Sequence, residues 1–391
     1  MKVSVVVPVH NQGRYLEQAL ESAFRQTRPP DEVIVVNDGS SDDTEEVCAY
    51  YGSRIQYVKQ DNAGPSAARN AGIARVSSDA VAFLDADDML CPHWLDQAEA
   101  AYRRARERGQ RVGVVYCDHI LFDGAGTYRK GASVKRVDLP HLLHDPLVFP
   151  SGSFVTKQCL EEVGPFNQDL TLCEDWDYWM RVALKGYCFV RTGTPGFMRR
   201  EHPESLSGNE FRTLHARVAF LRVWLESGEV PDAHRAALRE ELARHYVRLR
   251  RAGYYQGQST QGYLRAAFEI DPALLTDPWL CTFGAVYATP SPPAQISAQD
   301  VRRCITELYQ ELRAYVDEAG EGRRVFARLR AGSHLAIAAH KAMQRRYVSA
   351  GKSALAALLV DPALLREFGR HSSRYAVEVL EGTRRSSLRG R

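Results

Sequence analysis

The chain has 391 residues, too many for one ordinary domain, and its 45% apolar and 25% charged residues are the composition of a globular protein. A formal net charge of +3 is too small to argue for wholesale nucleic-acid binding, and charge alone names no partner.

The N-terminal "MKVSVVVPVHNQ" has an apolar run, but Pro8 and polar residues interrupt it before signal-peptide or membrane-spanning length. No later stretch is apolar for long enough to span, so the expected location is the cytoplasm, with peripheral membrane attachment left open. "KVSVVVPV" predicts the first strand. In "RYLEQALESAFRQT" the apolar residues Tyr15, Leu16, Ala19, Leu20, Ala23 and Phe24 recur at helical spacing, and "RPPDE" breaks the helix. "EVIVV" predicts the second strand, and "NDGSSDDTEEVCAYYG" a turn and a helix, with Asp42 and Glu45 at capping-box spacing and Gly52 as the stop. "RIQYVKQ" predicts a strand, "PSAARNAGIARV" a helix, "AVAFLD" a strand, "CPHWLDQAEAAYRRARERG" a long helix with Pro92 near its start, and "VGVVYCD" another strand. This alternation is the pattern of βαβ units and a largely parallel, buried sheet.

From about Phe211 the grammar changes to Ala, Leu, Arg and Glu at helical periods, which predicts an all-helical second half. "AAFEIDPALL" (266–275) and "AALLVDPALL" (356–365) each end a helical pattern on Asp-Pro, a weak echo of a repeat. "ATPSPPAQ" (288–295) reads as a loop or linker, and "RRSSLRGR" as a basic tail. The eight cysteines form no C-x-x-C pair and no compact zinc spacing, and are expected as reduced, mostly buried thiols.

In an open parallel sheet, ligands collect beyond the carboxyl ends of the strands, where loops and helix N-termini converge. Three polar clusters fall there: "PVHN", "NDGSSD" and "LDADD". Asn37 and Asp38 can hydrogen-bond a base or ribose edge, although "NDGSSD" is equally an ordinary turn and helix cap. Arg69 in "DNAGPSAARNAG" can meet a diphosphate or a nucleobase carbonyl, or simply lie on a helix surface. Asp85 and Asp87, two apart, point to one side if the strand persists through them, which fits a hard divalent cation on a diphosphate; the bland alternative is a solvated acidic loop. Asp88 could instead cap the helix near Pro92. Glu174 and Asp175 head a helix whose Trp176, Trp179, Met180, Ala183 and Leu184 form an apolar stripe, and a carboxylate at a helix start is also just a favourable charge on the dipole. The aromatic residues around Asp175 suit a sugar-sized pocket. Arg199, Arg200 and His202 in "MRREHPESLS" read as a polar loop.

Taken in order and spacing over residues 1 to about 210, "VVVPVHN", "NDGSSD", "NAGPSAARNAG", "FLDADD", "GPFNQDL…CEDWDYWMR" and "RREHPESLS" resemble an inverting family 2 glycosyltransferase of the GT-A fold. The resemblance implies an α/β domain at 1–210, an open, mostly parallel Rossmann-like sheet flanked by helices, followed by an all-helical region at 211–391 that it does not cover. It implies a nucleotide-sugar donor held by Pro8, Val9, Asn11, Asp38, Arg69, Asp85, Ala86 and Asp87. It further implies Mn²⁺ or Mg²⁺ on Asp87, Asp85 and His202, and Asp175 as general base with Glu174 beside it. His10 stands where relatives often carry Tyr. The implied partners are that donor, UDP-linked first, and a glycan or glycoconjugate acceptor, as in polysaccharide biosynthesis. The helical region is left to dock a protein, a membrane surface or a second copy of the chain.

Two rivals remain. A non-catalytic nucleotide-sugar-binding or scaffold protein would need no acceptor-side base. A nucleotidyltransferase would lean on a Gly-rich, Lys/Arg-bearing loop that "PVHNQGRY" does not supply.

Overall fold

The computed structural model describes residues 1–272 apart from 124–125, 127, 132–133, 203–208, 256–257, 259 and 261, and, beyond these, residue 310. The chain divides into two compact units, Met1–Gly208 and Asn209–Arg391.

The first unit runs β1 (Val3–Val9), α1 (Gly13–Phe24), β2 (Glu32–Asp38), α2 (Thr44–Tyr51), β3 (Gln56–Gln60), α3 (Gly64–Ile73), β4 (Ala80–Phe83), β5 (Met89–Leu90) and α4 (Trp94–Glu107). It continues with β6 (Val112–Phe122), β7 (Tyr128–Lys130), α5 (Leu139–Leu142), β8 (Ser153–Thr156), α6 (Lys157–Val163), α7 (Glu174–Leu184) and β9 (Cys188–Arg200). One sheet holds the strands in the order β3-β2-β1-β4-β8-β6-β9-β5, with β7 on β6.

The first four strands in that order are parallel, as the sequence predicts. Beyond them the sheet is mixed: β8 runs antiparallel to β4 and to β6, β9 parallel to β6, and β5 antiparallel to β9. The chain reaches β8 from a loop whose Ser151 Oγ accepts a hydrogen bond from Asp85 N, at the edge where β4 ends, so β8 must run back the other way.

Every residue of β1 is buried, which is why its sequence is apolar on both faces rather than an alternation, with Ser4 as the one polar residue and its hydroxyl 2.5 Å from Ser78 Oγ. On one face α1 buries Leu16, Ala19, Leu20 and Ala23, one stripe at helical spacing, with Tyr15 and Phe24 half-buried at its margin. On the other face α3 packs so tightly that a Cβ on Gly72 would lie 2.4 Å from Val6 Cγ1.

Several local expectations change. The Asp42/Glu45 capping box does not form: Asp42 accepts from Thr44 N at 3.1 Å and from Gly13 N at 2.8 Å, and Glu45 pairs with Lys59. Gly13 claims the second Asp42 oxygen, which ties α1 to α2. On α7 the buried apolar residues are Trp176, Tyr178, Trp179, Met180 and Val182, while Ala183 and Leu184 are only half-buried, because the helix is covered on more than one side. None of the six described cysteines is bridged, but only Cys48 and Cys159 are buried; Cys91, Cys117, Cys173 and Cys188 are half-buried near loops.

In the second unit every described element is helical: α8 (Glu210–Ser227), α9 (Asp232–Tyr255) and α10 (Tyr263–Ile270). Leu214, Val218, Leu221 and Trp224 form the buried stripe of α8. α10 stops at Asp271, the residue before Pro272, because a proline disfavours the helical conformation of its predecessor. The second Asp-Pro stretch, the loop at 288–295 and the basic tail lie outside the described residues. Among the described residues no helix is long and apolar enough to cross a membrane.

Candidate functional site

The polar residues gather where β1, β2 and β4 end. Pro8 and Val9 are buried in β1, in register with Val36 and Asn37, so the edge takes only their backbone. Asn11 turns the chain away in the left-handed region at φ 53°, a conformation that Asn tolerates better than most residues. Its amide N donates to Ser40 Oγ at 3.0 Å and its Oδ1 accepts from Ser41 N at 2.8 Å. His10 is exposed, with Nδ1 2.7 Å from the Asp38 carbonyl oxygen.

Asp38 is 3% exposed and accepts from Gln60 Nε2 at 2.7 Å, Ala63 N at 2.9 Å and Gly64 N at 2.8 Å. A carboxylate has about four lone-pair sites, so these three bonds leave room for roughly one more partner. Its first job in this structure is to pin the 60–64 loop. Gly39 makes the turn after it possible, at φ +70° and with Asn62 N 2.7 Å from where a Cβ would stand.

The acidic cluster is a turn. β4 ends at Phe83, and Asp88 N donates to the Asp85 carbonyl at 3.0 Å, so Asp85 and Asp87 do not share a strand face as expected. The Ala86 side chain is fully buried in the core, leaving only its backbone to a ligand. Asp85 is held by Arg69, whose Nη2 lies 2.9 Å from its Oδ1. Asp87 Oδ2 accepts from Gln12 Nε2 at 3.2 Å and lies 3.0 Å from His202 Nε2. Asp88 does not cap α4, since β5 intervenes; its Oδ1 accepts from Arg200 N at 3.0 Å. Burial first, and then the charges of Asp87 and Asp85, push the Asp88 carboxyl well above the usual carboxylate range.

Asp87 and His202 are the pair able to share a cation. Their ligand atoms converge, the His202 side chain is 7% exposed, and its Nδ1 is buried without a partner. Among the described residues no group of three His, Cys, Asp or Glu side chains is placed to hold an ion. Two protein ligands fit a hard cation whose other ligands are phosphate oxygens and water, and an imidazole beside a carboxylate suits Mn²⁺ better than Mg²⁺.

The other carboxylates sit at the head of α7. Cys173 precedes it at φ 67°, and Glu174, Asp175 and Asp177 fill the first turn, where the positive end of the helix dipole favours them. Arg69 Nη1 lies 3.0 Å from Glu174 Oε1, so one arginine with a 5% exposed side chain bridges Glu174 and Asp85. Both its terminal nitrogens are committed to carboxylates, which makes it a brace between the two acidic clusters. Asp177 pairs with Arg181 at 2.8 Å. Asp175, half-buried, accepts from Trp176 N at 2.7 Å. Trp176 and Trp179 do not line a sugar pocket: both are fully buried and donate their indole N–H to the carbonyls of Leu142 and Val148.

Arg200, expected in a polar loop, ends β9 and is 9% exposed. Its Nε donates to the Asp87 carbonyl at 3.0 Å, its Nη2 to Gln18 at 2.6 Å, and its guanidinium sits 4.4 Å from the ring centres of Tyr15 and Phe122. Gln12 and Ser151 were also missed. Gln12 was accessible to reasoning, lying three residues past the end of β1; Ser151 was not, because no spacing links it to Asp85. A cavity of 340 Å³ bordered by Met1, Asp79, Arg106 and Arg111 holds none of these groups.

Residues 4–119 match the model of the family described as Glycosyl transferase family 2. The chain is 41% identical over 118 residues to glycosyltransferase GlyA of Streptococcus pneumoniae, covering 29% of this chain and 16% of that one. It is 29% identical over 187 residues to an uncharacterized glycosyltransferase of Rickettsia prowazekii, 46% of this chain and 58% of that one. The matches span between 31% and 58% of the Rickettsia felis, prowazekii, conorii and typhi relatives. In structure it resembles Staphylococcus aureus TarS 1–349, crystallised with UDP, at a TM-score of 0.51 and 18% identity over 88% of this chain and 92% of that one. The mixed, GT-A-like sheet and these matches show that the first unit carries a glycosyltransferase family 2 domain, matched over residues 4–119.

Proposed function

We propose that the protein moves a sugar from a nucleoside-diphosphate sugar to a hydroxyl of a glycan or other acceptor, with inversion at the anomeric carbon. The observation that carries this reading is the single edge on which Asp87 and His202 meet at 3.0 Å while Arg69 links Asp85 to Glu174, next to Asp175. A sugar hydroxyl is a poor nucleophile and a nucleoside diphosphate leaves only with its charge compensated, so the two sides of the reaction need opposite equipment.

On the donor side, Asp87 and His202 would hold Mn²⁺ or Mg²⁺, with Asp85 beside them; the cation supplies charge compensation for the diphosphate. The polar ends of β1 and β2, at Asn11 and Asp38, receive the nucleoside. On the acceptor side Asp175 takes the proton from the attacking hydroxyl, and Glu174 holds Arg69. Attack from the face opposite the diphosphate exchanges one C–O bond for another in a single step, and the proton leaves on Asp175. UDP in the TarS crystal makes a UDP-linked sugar the first donor to try. We assign this chemistry to residues 1–210, in the cytoplasm, and leave 211–391 to contacts with a protein, a membrane surface or a second copy.

The test is release of nucleoside diphosphate over time from UDP-sugars, with acceptor glycans present and absent. Acceptor-stimulated release that EDTA stops and Mn²⁺ restores supports the reading. Tight UDP-sugar binding with no release under any acceptor would return the chain to the class of binding modules.

A further inference from the structure

We infer that Asn70 is a positioning residue for Asp175, acting through the loop between α6 and α7; this deepens the glycosyl-transfer reading and rests on it. Asn70 is half-buried on α3, far from Asp175 in sequence, and its side-chain amide makes two hydrogen bonds to one residue. Its Nδ2 donates to the Phe166 carbonyl at 2.8 Å, and its Oδ1 accepts from Phe166 N at 2.8 Å. The pair fixes the amide orientation, because a flipped amide would set donor against donor and acceptor against acceptor. It also copies what a neighbouring strand would do for Phe166, in a segment that has no strand.

Phe166 transmits this restraint to α7. Its ring is 1% exposed and stacks on Tyr178, with centroids 4.1 Å apart and planes 14° from parallel. Tyr178 lies one turn beyond Glu174 on the same helix. Arg181, a further turn along, donates to the carbonyls of Val163 at 3.0 Å and Pro165 at 2.9 Å, so the helix grips the start of the loop as well. Residue 69, adjacent to Asn70, holds Glu174 directly. Two consecutive residues of α3 therefore hold the two ends of the loop that leads into the helix head: Asn70 at Phe166, and Arg69 at Glu174. The same α3 is locked to β1 through Gly72. The sheet thus sets the place of Asp175 through α3, and a displacement of about 1 Å in such a group can cost about a hundredfold in rate.

The experiment compares Asn70→Ala and Asn70→Asp with the parent chain. Amide hydrogen exchange reads the Phe166 N–H; calorimetry with UDP and Mn²⁺ reads the donor side; turnover of the UDP-sugar that the parent uses reads the rest. Asn70→Ala should lose protection at Phe166 and lose about 10- to 100-fold in kcat, with UDP affinity within about twofold of the parent. Asn70→Asp keeps the acceptor for Phe166 N and loses the donor to its carbonyl, so it should fall between the two, and it carries the test if Asn70→Ala does not fold. Three results would overturn the inference: unchanged protection at Phe166, a kcat within twofold of the parent despite lost protection, or UDP affinity that falls in step with kcat. A parent that turns over no nucleotide-sugar fails the transfer reading and this inference with it, an outcome separable from the others because no variant is needed to see it.

Discussion

The turn at 85–88 and the head of α7 bring carboxylates to the same sheet edge and neutralise them in different ways. At the helix head Glu174 shares Arg69 of α3 with Asp85, Asp177 has Arg181 of its own helix, and the helix dipole favours all three acidic residues of the first turn. At the turn, Asp85 shares Arg69 with Glu174, Asp87 meets the neutral Gln12 and the imidazole of His202, and the buried Asp88 bonds the Ser151 side chain and the Arg200 backbone N–H. Burial, and after it the charges of Asp87 and Asp85, raises the Asp88 carboxyl. On the proposed reading, the helix head supplies the base and the turn receives the cation.

The sharpest way to break this comparison is to neutralise one carboxylate on each side. Asp175→Asn keeps size and an acceptor for Trp176 N, so packing around the buried tryptophans is spared. If Asp175 is the base, turnover should fall by about 10²- to 10⁴-fold while UDP affinity by calorimetry stays near the parent value. Parent-like turnover would move the base elsewhere, with Glu174 and Asp177 next in line although both already hold arginines.

Asp87→Asn should do the reverse. Removing the carboxylate that faces His202 should weaken UDP binding in the presence of Mn²⁺ by about 10- to 100-fold, and leave the weaker binding in EDTA nearly unchanged. Equal loss in Mn²⁺ and in EDTA would show that Asp87 acts on the fold and not through a cation.

The places of these two residues were legible in the sequence, as carboxylates after a strand and before an apolar stripe, while the roles proposed for them come from the family resemblance. The elements were legible too, since β1 and β2 announce burial by β-branched runs and α1 by its spacing. What could not be read depends on pairing between distant segments. Nothing in "AARNAG" says that Arg69 reaches Glu174 or that Asn70 reaches Phe166, 105 and 96 residues away. The end of β4 at Phe83, which turns Asp85 and Asp87 off a common face, follows from where β8 joins the sheet, and β8 arrives about 70 residues later. Tryptophans beside Asp175 looked like a sugar platform because periodicity reports which side of a helix is apolar, not what covers it.

A third variant tests whether the helix head depends on α3. In Gly72→Ala the new Cβ would meet Val6 Cγ1 at 2.4 Å, so α3 or β1 must shift. Overpacking of this kind costs about 1–3 kcal/mol, read as a lower Tm. Because α3 carries Arg69 and Asn70, kcat should fall with it, by less than in Asp175→Asn, while the pair Asp87–His202, in which Gln12 rather than Arg69 bonds Asp87, should keep its Mn²⁺-dependent UDP binding. Loss of both together would show that the two sides of the edge are not independently supported.

The smallest expected effect concerns Asp88 and bears on the cation most directly. Its carboxyl titrates above the usual range in the folded chain because it is buried and faces the charges of Asp87 and Asp85. A carboxyl whose folded pKa is raised binds its proton more tightly folded than unfolded. Its contribution is therefore fully present below the unfolded value of about 3.9 and is lost as pH rises through the folded pKa. In EDTA, Tm of the parent should carry a downward component as pH rises above the ordinary carboxylate range that Asp88→Asn lacks, since the amide oxygen still accepts from Arg200 N and residue 88 no longer titrates. The difference between parent and variant reads Asp88 together with the carboxylates it faces, Asp87 and Asp85, and cancels the titrating groups elsewhere in the chain. Mn²⁺ should shrink that difference, because a cation held by the neighbouring Asp87 offsets the negative charge that Asp88 otherwise faces. A parent-minus-variant difference of the same size in Mn²⁺ as in EDTA would show that the turn receives no cation, and would leave its excess of carboxylates without the explanation offered here.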